Sequence, residues 1–246
     1  AFASGRLVLS AFQDAPGVIA ASSVRAVTDF KAGSDDDDAI VRGLEGLRVL
    51  HLALAGDLVV LSDAGVYVVP LRESVLTPAN FNPLLIDKRG AKVTVKPAIV
   101  SDAVLFIEAG GGRLSVAYQS GNYYLKWGVS SVSDLHKHLF ENIIGICPPS
   151  PHDEDPRVLV VRGDGKITAA TWGAELESIG FVEWETQGDF LFADVCFSGQ
   201  FVTVLREIDG SNVRFIEKID PGMVLDCVSR SYYPRNPGAA SHLAGE

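Results

Sequence analysis

Four consecutive carboxylates, Asp35, Asp36, Asp37 and Asp38, form the densest group of chemically capable side chains in the sequence. Acidic loops hold calcium when their ligands alternate along the chain and a glycine turns it between them. Four adjacent aspartates cannot all point inward, so the run reads as a solvated acidic loop or a negative patch at a subunit surface. His136 and His138 stand two apart, which on a helix sends them to different faces and departs from the i, i+4 spacing of zinc ligands. His152 with Asp153, Glu154 and Asp155 is a better ligand set by residue type, but Pro151 and Pro156 enclose it and mark an exposed linker. Gly110, Gly111, Gly112 and Arg113 have the composition of a phosphate loop. They join two strand-like runs and lead into no helix whose N-terminus would hold an anion, so a hairpin turn accounts for them. Carboxylates are plentiful, yet none nominates a glycosidase pair, and there is no nucleophile elbow or Cys, His, Asp arrangement in recognisable context. The expectation is a protein with no catalytic, metal-binding or cofactor-binding residues: not an enzyme, and folding without a cofactor.

The elements that would position any such site are numerous and short. The chain has 246 residues, 47% of them hydrophobic, enough to bury a sizeable core as one large β domain or two small ones. Lys and Arg number 21 against 31 Asp and Glu, a formal charge of −10, which argues against a surface built to bind phosphates along its length. Cys147, Cys196 and Cys227 are too few and odd in number for a disulfide framework. Each lies in or beside an apolar stretch, so they read as small core residues from a reducing compartment. No apolar run reaches the roughly 18 residues of a membrane span and no signal-like segment opens the chain, so neither membrane insertion nor targeting is expected. Ala1 at the start and a loop-like segment at Glu246 suggest a piece of a longer polypeptide.

Turn residues lined up with the apolar runs around them give five hairpins. Gly5 to Ser10 returns through Val18 to Ala20 after a turn at Asp14 to Gly17. Leu58 to Leu61 pairs with Val66 to Val69 across Ser62 to Gly65, and Val104 to Ile107 with Leu114 to Tyr118 across the glycine triplet. Val158 to Val161 pairs with Ile167 to Trp172 across Gly163, Asp164 and Gly165. Phe201 to Leu205 pairs with Val213 to Ile219 across Asp209 to Asn212. Glycine, Asp and Asn accept the positive φ that such turns demand.

The hairpin starts Leu7, Leu58, Val104, Val158 and Phe201 recur at intervals of 43 to 54 residues, inside the range of about 40 to 50 typical of propeller blades. A β-sandwich would give turn signals every 8 to 12 residues or so without this longer rhythm. The fold expected is all-β and β-propeller-like, over residues 1–230, with 231–246 a connecting loop. Phe181 to Thr186 and Phe190 to Phe197 would complete a four-stranded sheet beside a hairpin. Tyr123, Tyr124, Trp127, Trp172 and Trp184 read as packing residues between sheets. One short inserted helix is expected from Ser133 to Asn142, where Leu135 and Leu139 stand four apart, Ser133 is a candidate N-cap and Gly145 lies just beyond.

Several stretches, in order, resemble the tail nozzle family of short-tailed bacteriophages, also described as tail tubular or phage stabilisation proteins. Gly5-Arg6-Leu7-Val8-Leu9 followed by Asp36-Asp37-Asp38-Ala39-Ile40 looks like that family's "GRL … DDDAI" passage. Leu58 to Gly65 followed by Leu76-Thr77-Pro78 is similar to its strand, turn and "LTP" element. Ala103 to Ile107 with Arg113-Leu114, Asp134-Leu135 with His138-Leu139, and Val160 to Gly165 follow, and His242 to Glu246 looks like its "HLEGE" segment. Where members often carry an "RRQSSYG"-like stretch, this chain has Leu85 to Gly90, and Ile167 to Trp172 departs as well.

The resemblance implies a structural virion protein of the phage tail, assembled in the host cytoplasm. It would be a subunit of a homo-oligomeric ring, a hexamer, that bounds the DNA-ejection channel and supports adjacent tail adaptor and fibre proteins. An acidic wall suits that role, because it lets DNA slide past without the counterion release that drives phosphate binding. Two other readings stand beside it: a propeller adaptor that binds peptide partners, and a propeller glycan hydrolase or lyase, which would need clustered carboxylates and an aromatic platform at one mouth.

Overall fold

A computed structural model of the chain describes residues 1–71, 76–120, 126–151, 156–171 and 179–220. The described residues are all-β, in five small antiparallel sheets that follow one another along the chain. The first contains β1 (Phe2–Ala3), β2 (Arg6–Leu9), β3 (Val18–Ala21) and β4 (Ile40–Gly43). The second contains β5 (Val49–Ala55), β6 (Asp57–Ser62), β7 (Val66–Val69) and β8 (Leu84–Asp87). The third contains β9 (Ala98–Val100), β10 (Ala103–Ile107), β11 (Leu114–Ser120) and β12 (Lys126–Ser131). The fourth contains β13 (Ile143–Cys147), β14 (Arg157–Arg162), β15 (Ile167–Thr171) and β16 (Gly180–Trp184). The fifth contains β17 (Asp189–Cys196), β18 (Gly199–Ile208) and β19 (Ser211–Lys218). In every sheet the strands lie side by side in sequence order.

Each of the five expected hairpins is present, as β2–β3, β6–β7, β10–β11, β14–β15 and β18–β19. Gly111 turns the third at φ +80°, and Gly165 turns the fourth at φ +83°, where an added Cβ would meet the Asp189 carboxylate at 2.3 Å. A side chain at Gly165 would therefore be both strained and blocked.

Why these hairpins and not their flanking strands stand out in sequence follows from burial. β6 is buried at all six positions, and β10 and β14 at all but their first, so they read as unbroken apolar runs. The outer strands β8, β12 and β16 have no fully buried residue.

Four apolar clusters join the sheets face to face in chain order. We call the face toward the next sheet the front and the other the back. Val8, Ile19 and Ile40 on the first front meet Val49, Leu58 and Val60 on the second back. Val59, Leu61 and Val68 meet Val104, Phe106 and Ala117. Leu105, Ile107 and Val116 meet Ile143, Val158 and Val160. Leu159, Val161 and Ile167 meet Phe190, Val202 and Val204. Because successive residues of a strand point to opposite faces, each middle sheet needs apolar residues at both parities. The result is a propeller-like stack of blades. Among the described residues, no such cluster links the fifth sheet back to the first.

Two expectations are corrected. The Ser133 to Asn142 helix is a single 3-10 turn, Lys137–Leu139. Its bonds run from His136 N to Ser133 O, Leu139 N to His136 O and Phe140 N to Lys137 O. The Ser133 hydroxyl caps nothing, because it accepts the Leu114 N–H at 2.9 Å, and Leu135 is 90% exposed. Phe140 anchors the segment instead, fully buried and edge-on to Phe181 at 5.1 Å. The strands from Phe181 and from Phe190 do not share a sheet: the first closes the fourth sheet as β16 and the second opens the fifth as β17. Residues 231–246 lie outside the described residues.

Candidate functional site

Arg6 organises a region where several of the singled-out segments meet. Its side chain is fully buried on the front of the first sheet. Nε donates to Leu76 O at 3.0 Å, Nη1 to Ser22 O at 2.8 Å and to Asp38 O at 2.6 Å, and Nη2 to Asp36 O. A buried charge is tolerated when its donors are satisfied, and here backbone carbonyls satisfy them. Burial lowers the guanidinium's pKa, and the nearby Asp37 and Asp38 oppose that shift. Arg42 adds a bond to Pro78 O at 2.7 Å. Thus Gly5-Arg6-Leu7, Asp36 to Ile40 and Leu76-Thr77-Pro78, three separated sequence segments, form one junction between the first and second sheets.

The same bonds explain the aspartate run. The Asp36 and Asp38 carbonyls turn inward to Arg6 and the Asp37 carbonyl to Val24 N and Ser23 Oγ, which sends carboxylates outward. Asp35, Asp36 and Asp37 are exposed, and Asp37 pairs with Arg25 at 3.3 Å. The Asp38 carboxylate accepts the Asp35 N–H at 3.1 Å. Among the described residues no three His, Cys, Asp or Glu side chains are grouped to hold a metal ion.

The other sequence candidates are dispersed. His136 lies against Phe181 at 5.2 Å and 6.4 Å from His138. Gly110 to Gly112 is the β10–β11 turn, and Arg113 faces Asp134 at 3.7 Å. Trp127 and Trp184 pack on inter-sheet clusters. Tyr123, Tyr124, His152 to Asp155, Trp172, Cys227 and His242 to Glu246 lie outside the described residues.

Sequence reasoning passed over two polar pins. Asp57, buried at the start of β6, accepts from Leu71 N, Gln119 Nε2 and Trp127 Nε1, each at 2.8 Å, and so ties the second sheet to the third. Gln200 on β18 donates to Pro148 O and Arg157 O at 2.8 Å, tying the fifth sheet to the fourth. Both look like ordinary strand-end polar residues; an isolated polar residue beside an inward-facing apolar pattern was the available signal.

Cysteine burial needs a correction too. Cys147 is buried, and desolvation pushes its thiol up to about 12. Cys196 is exposed on the front of the fifth sheet, and hydrogen bonds from Ser198 lower its pKa. No described sheet follows the fifth to cover it.

Among the described residues, two sheet faces are not covered by a neighbouring sheet. On the back of the first, Phe2, Leu9 and Val41 are exposed, Leu7 and Val18 half-buried and Ala20 buried; on the front of the fifth, Phe192 and Ile216 are exposed and Phe201 and Leu205 half-buried. The first strands β1, β5, β9, β13 and β17 carry no Lys or Arg, and their charged residues are Asp189 and Asp194. A cavity of about 340 Å³ opens beside β2, β5 and β9, with Leu9, Leu50, Leu52, His51 and Ile99 in its wall. Burial lowers the pKa of His51, whose Nε2 lies 3.1 Å from Lys92 O.

No family model and no curated protein matches the chain. Among solved structures the chain is similar to a crystal structure of Hsv2 from Kluyvelomyces marxianus, at 10% identity and a TM-score of 0.47, over 93% of this chain. The match spans 63% of the length of that structure.

Proposed function

We propose that this propeller-like chain is a tail nozzle subunit of a short-tailed bacteriophage. In this reading it assembles with copies of itself into a ring, a hexamer in the family it resembles. The ring bounds the channel through which DNA leaves and gives neighbouring adaptor and fibre proteins a mounting surface. It is a virion component without catalytic turnover. The observation that carries the reading is the Arg6 junction. Three segments on which the resemblance rests, "GRL", "DDDAI" and "LTP", are far apart in sequence but meet through Arg6 hydrogen bonds. Charge supports it: with a net −10 and no Lys or Arg on any first strand, a ring of such subunits gives passing phosphates little to bind.

The test belongs on the full-length protein and on purified virions. Detection of the protein in particles, with a sixfold ring when it is purified alone, supports the reading. Absence from particles together with a single-chain mass at high concentration overturns it. The adaptor reading would then take its place, with the apolar cavity beside β5 and β9 as the peptide site.

A further inference from the structure

We infer that the cavity beside β2, β5 and β9 is a binding site for an apolar group that ends in a carboxylate. The site belongs to the single chain and does not rest on the ring reading.

β5 and β9 are the first strands of the second and third sheets, and each pairs with one neighbour only, so one edge of each is free. Such an edge presents unpaired backbone N–H groups. His51 lies opposite Leu61 and shares the front of the second sheet, and Ile99 lies opposite Val104 and shares the back of the third. Leu52 packs on the other side of β5, against the cluster shared with the first sheet. With both sides of β5 in its wall, the cavity of about 340 Å³ wraps around the free edge of that strand. Its size falls within the range of about 300–1,000 Å³ usual for small-ligand sites.

The wall selects the ligand by charge. Leu9, Leu50, Leu52 and Ile99 supply apolar area, and Leu9 at 37% and Ile99 at 41% exposed leave part of it open. Polar groups are few, as in ligand pockets generally. The His51 ring is held in place by Nε2, 3.1 Å from Lys92 O. Lys96 is exposed and forms no ion pair with a described residue. No Asp or Glu lines the cavity, although acidic residues outnumber Lys and Arg 31 to 21 in the chain. Elsewhere Arg89, Arg162, Lys166 and Arg206 are each matched by carboxylates. Lys96 is therefore an uncompensated cation beside an apolar hollow, and the complementary ligand has an apolar body and one negative charge. A cationic ligand would meet Lys96, and a phosphate ester with two charges would find one lysine in an acidic protein. The carboxylate can belong to a free aliphatic acid or to the last residue of a peptide with an apolar side chain, since the chemistry presented to the cavity is the same.

Titration calorimetry on the full-length protein tests the assignment with two acids, octanoate and a short peptide ending in leucine, each beside its neutral counterpart, octanamide and the amidated peptide. At least one acid is expected to bind, and its neutral counterpart to bind at least about threefold more weakly, the scale of an exposed ion pair. Binding of octanoate alone assigns the site to free aliphatic acids, and tighter binding of the peptide assigns it to a chain terminus. Lys96→Met should remove the difference between acid and amide. Ile99→Asp places a carboxylate in the wall and should abolish binding, whereas Ile99→Lys adds a second cation and should tighten it, which a misfolded chain cannot do. Failure of both acids to bind the full-length chain overturns the inference, whatever fills the cavity there. Equal binding of acid and amide overturns it as well, as does wild-type affinity in both Ile99 variants.

Discussion

Cys147 and Cys196 hold matching places in neighbouring sheets. Each ends the first strand of its sheet, β13 or β17, and each faces forward. Cys147 is fully buried under the fifth sheet, with its thiol pushed up to about 12, whereas Cys196 is exposed with its pKa lowered. The same residue in the same position thus meets two environments, because a sheet follows one and no described sheet follows the other. The difference generalises: middle sheets are packed on both faces, and among the described residues each end sheet is packed by a neighbouring sheet on one face only.

The largest break in that comparison should come from a pair of phenylalanines. Phe106 in β10 is 1% exposed within the second cluster, and Phe192 in β17 is on the open face. Phe106→Ala is expected to cost about 3–5 kcal/mol in urea unfolding through lost burial and the cavity left behind. Phe192→Ala should stay near the roughly 0.5 kcal/mol usual for surface changes. Equal costs for the two would mean that the end face is not open.

A smaller effect is expected at the junction of the first and second sheets. Arg6→Met keeps an apolar stem but strands the Leu76, Ser22, Asp36 and Asp38 carbonyls that Arg6 serves. Buried unsatisfied carbonyls cost about 1–3 kcal/mol each, offset where water reaches the loop, so a total near 2–4 kcal/mol is expected. Limited proteolysis should then cut within residues 34–38 first. Unchanged stability would show that the guanidinium organises nothing.

The legible part of this fold was its hairpins, since Gly, Asp and Asn at the turns and runs such as Leu58 to Leu61 advertise themselves. Edge strands were legible only from Phe181 and Phe190; others such as β4 and β8 are short and largely exposed and show no alternating pattern. The Ser133 segment failed for a different reason: Leu135 and Leu139 mimic a helical stripe, while tertiary bonds to Leu114 and the burial of Phe140 set the backbone. The Arg6 junction was foreshadowed by the order of its three segments, but no local pattern reveals that a carbonyl 70 residues away accepts from it. The exposure of Cys196 could not be read from its apolar neighbours, since whether a face is covered depends on what stacks against it.

The stacking order itself is tested most directly by thiol accessibility at the ends of the five first strands, Ala3, Ala55, Val100, Cys147 and Cys196. Single cysteines would be placed at each position in a background otherwise free of cysteine and alkylated at pH 8 in the native state, at a concentration where sedimentation shows a single-chain mass. The first four, all at most 3% exposed in the native chain, are expected to react only at the rate of unfolding, and Cys196 within the mixing time. Rapid reaction at Ala55→Cys or Val100→Cys, or protection of Cys196 equal to that of Cys147, would contradict a stack that is closed inside and open at its ends.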